Sequence, residues 1–173
     1  LSLVVLFYIT AYVIPKLAIY RSIHWPVIVL LGSMIPIGQA LQSSGGAETI
    51  SNILINISYG ATPVTILALM LIITMLLSAV LNNVATVLVT APISVEIART
   101  LAVNPDTFLM AVAIGASCAF LTPIGHQNNT LVMGPGGYRF GDYWKLGLPL
   151  EILITVVSIP TLLYFWPLNS LPI

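Results

Sequence analysis

Two short polar segments interrupt an otherwise apolar chain, and their residue types are those that hold small ions without formal charge. The first is Asn82-Asn83, followed by Val84, Ala85 and Thr86. The second is Thr122-Pro123-Ile124-Gly125-His126-Gln127-Asn128-Asn129. Asn is a favoured helix N-cap, and the first N–H groups of a helix starting there point outward with the positive end of its dipole, which suits an anion. In the second segment Thr122 and the carbonyls around Ile124 and Gly125 end one helical piece, and Asn128-Asn129-Thr130 cap the next. Hydroxyl, amide and carbonyl oxygens with no carboxylate nearby suit a weakly held monovalent cation such as sodium. Calcium and zinc demand carboxylates or His and Cys ligands. His126 has no second metal ligand beside it, so hydrogen bonding is its expected role, with proton coupling as the other reading.

The elements that position these segments lie in lipid. Apolar residues make up 58% of the chain and charged residues 6%, against roughly 25% charged in soluble domains, so a water-facing surface cannot be built. No acidic or basic residue falls in 49–95, and only His126 is titratable with a charged form near neutrality in 107–138. Each stretch exceeds the roughly 20 residues of one crossing and must hold more than one helical piece. Zero net charge with no basic cluster leaves nucleic acid without an electrostatic footprint, so no nucleic-acid partner is expected. The single Cys118 excludes an internal disulfide. Asp106 and Asp142 fall in expected surface turns, away from any Ser-His pair, and Gly134-Pro135-Gly136-Gly137 lacks the Lys-Ser/Thr of a phosphate loop.

Along the chain, 1–19 is apolar and of helix length but has neither the basic start nor the cleavage site of a signal peptide, so it reads as a span or the tail of one. A chain beginning at Leu1 reads as a processed or truncated fragment. A polar break at 16–24 precedes Trp25, an interface anchor, and Pro26, a first-turn residue, and a short span covers 26–41. Residues 48–59 mix Asn and Ser with Ile and Leu, as in a helix lying at the interface or against protein. Thr62-Pro63 opens a helix to about Ala79, the Asn pair breaks it, and a second helix over 84–98 completes a hairpin. Asn104-Pro105-Asp106 starts a helix over 107–121. Residues 134–137 form a loop, Tyr138, Tyr143 and Trp144 an aromatic girdle, and 146–166 a last span in which Pro149 and Pro160 predict a kink.

The apolar piece 130–133 is too short to cross alone, so both polar breaks are expected at depth. Broken backbone is tolerated there only when it is covered by protein or lines an aqueous cavity. The segments are then 1–60, scaffold-type transmembrane and interfacial helices; 61–133, a transport-type hairpin and broken helix; and 134–173, a loop and last transmembrane helix. With this path Lys16, Arg21, Arg139 and Lys145 share one side with Asp142, and Glu48, Glu96, Arg99 and Asp106 the other. The excess of basic residues puts 16–24 and 134–145 in the cytoplasm and 42–60 and 99–106 outside, in a multi-pass protein of the cell inner membrane.

From Leu81 through Ala91-Pro92-Ile93, and again from Thr122 through Gly134-Pro135-Gly136-Gly137-Tyr138 to Leu150, the sequence resembles the C-terminal membrane half of the divalent anion/sodium symporter family. It looks closest to bacterial permeases carrying regulatory domains like those of potassium-transport proteins. The resemblance implies an all-α membrane protein: one inverted-repeat half with a re-entrant helical hairpin and a discontinuous transmembrane helix, working as a homodimer with an N-terminal membrane half. The family's hairpin-tip Ser-Asn-Thr aligns with Asn82, Asn83 and Val84, and its Thr-Pro-Pro-Asn break with Thr122, Pro123, Ile124 and Gly125. The substrate set is then Asn82, Asn83, Val84, Thr122 and Pro123, and the cation set Asn83, Ala85, Thr122, Ile124, Gly125 and Asn128, with Gln127, Asn128 or Asn129 replacing the lost asparagine.

Val84 lacks the hydroxyl that the family places on a substrate carboxylate, which favours a sulfate-like oxyanion over a dicarboxylate. The expected function is therefore secondary transport of a small anion coupled to sodium as co-substrate, with no catalytic residues and no resident metal. The alternatives are a dicarboxylate/sodium symporter, a proton-coupled or channel-like carrier, and a non-transporting scaffold subunit.

Overall fold

The computed structural model of the chain describes residues 29, 32, 33, 36, 39, 40, 43–57 and 60–169. The expected span 1–19, the break 16–24, Trp25 and Pro26 lie outside the described residues, as does most of 26–41. The chain divides into two compact units, Leu1–Met34 and Ile35–Ile173. In the first, the Ser33 hydroxyl donates to the Val29 carbonyl at 2.8 Å. The candidate residues all fall in the second.

The second unit contains α1 (Gly46–Ile57), α2 (Pro63–Ser78), α3 (Asn83–Thr100), α4 (Pro105–Ala116), α5 (Gln127–Met133) and α6 (Tyr143–Phe165), with a 3-10 turn at Phe140–Asp142. Among the described residues there is no strand. The helix starts follow local chemistry. Extended Thr62 accepts the Thr65 N–H on its hydroxyl at 3.3 Å, and Pro63 occupies the first turn of α2. Asn104 accepts the Asp106 N–H at 3.0 Å, and Pro105 opens α4 in the same way. Proline fits there because the first N–H groups of a helix have no intrahelical partner.

Helix α4 is the centre of the unit and packs against both α2 and α3, while α1 lies on α3 and α6 on α2 and α4. Phe108, Ala111 and Val112 of α4 meet Leu67, Met70, Leu71 and Met75 of α2 and Ile93 and Ile97 of α3 in one buried cluster. Gly115 permits close approach: a Cβ there would lie 2.9 Å from the Thr74 Cβ and 3.0 Å from the Leu71 carbonyl oxygen. Small residues at helix contacts are how apolar helices pack when lipid removes the hydrophobic drive between them. Buried Thr74, Thr86 and Thr90 return their hydroxyls to carbonyls four residues earlier, at 2.8, 3.1 and 2.8 Å. Their polarity is thereby satisfied inside each helix.

Helix α6 runs opposite to α4. Near its end, the Thr107 hydroxyl donates to the Trp166 carbonyl at 2.8 Å; near its start, Gly147 backs onto Phe120, where a Cβ would lie 2.5 Å from the carbonyl oxygen. Among the described residues, Phe140–Phe165 is the one helical stretch long and apolar enough to cross a membrane. Helix α6 includes both Pro149 and Pro160, and both prolines lie on its exposed face, away from the packed one.

One boundary differs from the sequence expectation. The helix expected over 107–121 ends at Ala116. Side chains from elsewhere take carbonyls in and just before the stretch that follows: the Ser78 hydroxyl donates to Ala116 at 2.6 Å, and the Asn129 amide donates to Ala119 at 2.7 Å and Thr122 at 3.2 Å. Thr122 also precedes a proline, which disfavours helical backbone at that position.

Candidate functional site: where the two polar breaks meet

The turn between α2 and α3 and the stretch between α4 and α5 touch each other directly. The Thr122 hydroxyl donates to the Ala79 carbonyl, at the end of α2, and accepts the Gly125 N–H at 3.3 Å. Gly125 is buried against the same turn: a Cβ there would lie 2.6 Å from the Ser78 carbonyl oxygen and 3.2 Å from the Ala79 Cα. Only a residue without a side chain fits such an approach between two backbones. Ser78 extends the link to the other helix of the pair, its hydroxyl lying 3.4 Å from the Asn83 Oδ1 while it donates to Ala116.

The start of α3 is capped by Asn82, whose Oδ1 accepts the Ala85 N–H at 2.8 Å from an extended backbone (φ −71°, ψ 158°). The Thr86 N–H bonds to the Asn82 carbonyl at 3.0 Å. Of the N–H groups of Val84, Ala85 and Thr86, which the Asn pair was expected to leave facing an anion, those of Ala85 and Thr86 are thus taken up by the helix's own first turn. Val84 and Asn83 are half-buried, Ala85 is buried, and Asn82 is exposed.

In the second break Thr122 is half-buried, Pro123 and Gly125 are buried, and Ile124 is exposed. Pro123 is held through its carbonyl, which accepts the Thr130 hydroxyl at 2.6 Å. The residue that caps α5 is His126: its Nδ1 accepts the Asn128 N–H at 3.2 Å, and Asn128, Asn129 and Thr130, expected as caps, lie inside the helix. An imidazole nitrogen can serve as an N-cap acceptor as an Asn oxygen does, and His126 enters α5 with the extended backbone a cap requires. Its expected hydrogen-bonding role takes this form.

Thr122, Gly125, Asn83 and, through its own helix cap, Asn82 are therefore brought to one locus. Ile124 and Asn128 point to the unit's surface instead, both exposed. Asn129 stands at the break as the amide that holds the Ala119 and Thr122 carbonyls, and its own carbonyl accepts the Tyr143 hydroxyl at 2.6 Å. Three participants had no place in the sequence-derived sets. Ser78 and Ala79 carried no signal, because their roles arise from contacts across the fold. Tyr143 was expected only as an interface aromatic.

The locus lies partway along the unit. Helix α4, twelve residues, extends about 18 Å from its Trp166-tethered start to its end at the Ser78–Ala116 bond. Helix α6, running beside it, is about 35 Å long. The second break reaches the start of α6, where the Tyr143 hydroxyl donates to the Asn129 carbonyl.

Comparison with known proteins supports the coarser part of the resemblance in the motifs, a membrane transporter with sodium/sulfate cotransporters among its relatives. The chain is 41% identical over 149 residues to an uncharacterized transporter, YfbS, of Escherichia coli (strain K12), covering 84% of this chain and 24% of that protein. It is 39% identical over 140 residues to an uncharacterized transporter of Synechocystis, covering 81% and 23%. With the sodium/sulfate cotransporter 1 of Chlamydomonas reinhardtii it shares 29% identity over 140 residues, covering 80% and 16%. The chain thus spans about a quarter or less of the length of these curated relatives. The family model described as citrate transporter matches residues 1–172, and with its polar breaks joined inside a bundle of apolar helices, this membrane chain belongs to the citrate transporter family.

Proposed function

We propose that the chain is the C-terminal half of a sodium-coupled secondary transporter whose cargo is a small anion, a sulfate-like oxyanion in preference to a dicarboxylate. The observation that carries this reading is the junction of Thr122 and Gly125 with the Ser78–Ala79 end of α2, which gathers helix ends, hydroxyls and an amide at one locus. Helix α2, with sixteen residues, extends about 24 Å, short of the roughly 30 Å hydrocarbon core. That length suits a re-entrant hairpin whose turn stops at depth, and the interrupted α4–α5 path suits a discontinuous transmembrane helix.

In this mechanism the cation enters first, held by carbonyl, hydroxyl and amide oxygens of Asn83, Thr122 and Gly125. It supplies the positive charge that the locus lacks: among the described residues the Lys and Arg side chains are Arg99, Arg139 and Lys145, outside both breaks. The start of α3 adds its dipole. The anion then meets a site already ordered and charged, and each ligand raises the affinity for the other by the same factor. A tetrahedral oxyanion suits a site with Val84 in place of a hydroxyl, and the sodium/sulfate cotransporter relative supports both cargo and coupling ion.

The remaining ligands belong to an N-terminal membrane half, since a site between two repeats draws on both. A homodimer in the cell inner membrane, with 134–145 cytoplasmic and 99–106 outside, completes the arrangement. The relatives' greater length leaves room for regulatory domains between the halves. Radiolabelled sulfate uptake by the full-length protein in proteoliposomes tests the reading. Uptake is expected to require an inward sodium gradient and to be competed more strongly by unlabelled sulfate than by citrate or succinate. Sodium-independent uptake that follows pH would sink the symport mechanism, and no uptake of any anion would favour the scaffold alternative.

A further inference from the structure

Helix α6 buries an acidic side chain to which the transport reading gives no role. Glu151 is 8% exposed, and it shares the packed face of α6 with Gly147, Ser158 and Leu162, as their helical spacing requires. One turn earlier Gly147 is pressed against Phe120. One turn later the Thr155 hydroxyl donates to the Glu151 carbonyl at 2.8 Å and lies 3.7 Å from the Met75 sulfur. The Glu151 side chain therefore enters between the end of α2 and the stretch that follows α4. About 22 Å of helix separates it from Trp166 and about 12 Å from Tyr143, so it lies within the length of α6 rather than at either end.

Its Oε1 is buried and has no hydrogen-bond partner among the described residues. Among the described residues, the elements around it bring no free counter-charge. Helix α2 has no titratable residue, and α4 has only Asp106, exposed in its first turn at the Trp166 end. The 3-10 turn offers Asp142, already paired with Lys145 at 2.9 Å. Helix α6 itself adds Tyr143, whose hydroxyl donates to Asn129, and Tyr164, exposed near its far end. From the stretch between α4 and α5 come exposed His126 and the Cys118 thiol, which is within electrostatic reach of Glu151 but directs its own hydrogen to the Ile114 carbonyl.

A bare carboxylate at such a place is an uncompensated charge in an apolar core, and intramembrane acids persist where they bind something. A divalent metal needs several carboxylate or imidazole ligands, and no cluster of three acidic, His or Cys side chains forms among the described residues. A proton neutralises the carboxylate with no further ligand. We propose that Glu151 is a proton-binding site in the core of this unit, and that turnover of the transporter depends on its loading. The proton comes from water on one side and returns to water, with no other bond made or broken. This goes beyond the sodium-coupled reading and does not require it.

Two arms test it on the full-length protein. Infrared difference spectra between acid and alkaline buffer are expected to show the C=O stretch of a buried carboxylic acid that Glu151→Gln removes; an unchanged spectrum in the variant overturns the assignment. In proteoliposomes under a fixed sodium gradient, wild-type uptake is expected to have a pH limb approaching about tenfold per unit, the slope that one proton gives, and Glu151→Gln a flat profile. A variant profile identical to wild type overturns the functional part. Should Glu151→Gln fail to fold, Glu151→Asp is expected to displace the limb, and an undisplaced limb counts against the proposal. The infrared arm does not depend on transport, so a protein that moves no sulfate still decides Glu151.

Discussion

Gly125 is the residue at which the two polar breaks are in backbone contact, and its lack of a side chain is what permits it. A Cβ would sit 2.6 Å from the Ser78 carbonyl oxygen and 2.9 Å from the Ala119 Cβ. None of these atoms is the end of a flexible side chain, so Gly125→Ala must separate the Thr122 stretch from the α2 turn. Overpacking of this kind costs about 1–3 kcal/mol. The expected outcome is a lower melting temperature of the purified full-length protein together with weakened sulfate uptake. Gly134, with nothing within 4 Å of a built Cβ, provides the contrast: Gly134→Ala is expected to leave both unchanged. Equal behaviour of the two variants would remove the close approach from the account.

At the scale of elements, the proposed function gives the start of α3 two tasks, stability and anion approach, and the two can be separated there. Asn82 caps the helix through its Oδ1, and Asp caps as well as Asn does. Asn82→Asp is therefore expected to keep the melting temperature near wild type while placing a negative charge where the anion approaches. Sulfate uptake should fall through a raised KM. A variant with unaltered KM would show that the anion does not approach the start of α3. This cap, like Thr62-Pro63 and Asn104-Pro105, was legible in the sequence because it depends only on neighbouring residues. The end of α4 was not. Residues 118–121 are apolar and, with Ser117, read as helix, but Ser78 and Asn129 take the carbonyls at Ala116 and Ala119, partners visible only once the chain is folded. The junction's membership divides in the same way. Thr122 and Gly125 stood out as breaks, whereas Ser78 and Ala79 look like ordinary helix-end residues. Glu151, a lone acid in the apolar run 146–166, did carry a sequence signal.

For the whole molecule, hydrogen bonds at the two ends of α6 fix which loops lie together. Asn104 and Thr107 bond to the Pro167 and Trp166 carbonyls, so the start of α4 shares an end with the end of α6. Tyr143 bonds to Asn129, so the start of α6 shares the other end with α5 and its glycine-rich loop. If α6 spans the membrane, Asp106 and Gly134 must lie on opposite sides of it, whatever the direction. The direction proposed above rests on charge: among the described residues Arg139 and Lys145 lie beside the glycine loop and Arg99 at the far end. Single cysteines at these exposed positions read the arrangement in intact cells, in a full-length background whose other cysteines are removed except buried Cys118, 4% exposed. Asp106→Cys is expected to react with a membrane-impermeant maleimide from outside, and Gly134→Cys only after the membrane is permeabilised. The reverse pattern would invert the proposed orientation. Labelling of both from one side would mean that the path through α4, the junction and α5 does not cross, which would take the polar breaks out of the membrane and the transport mechanism with them.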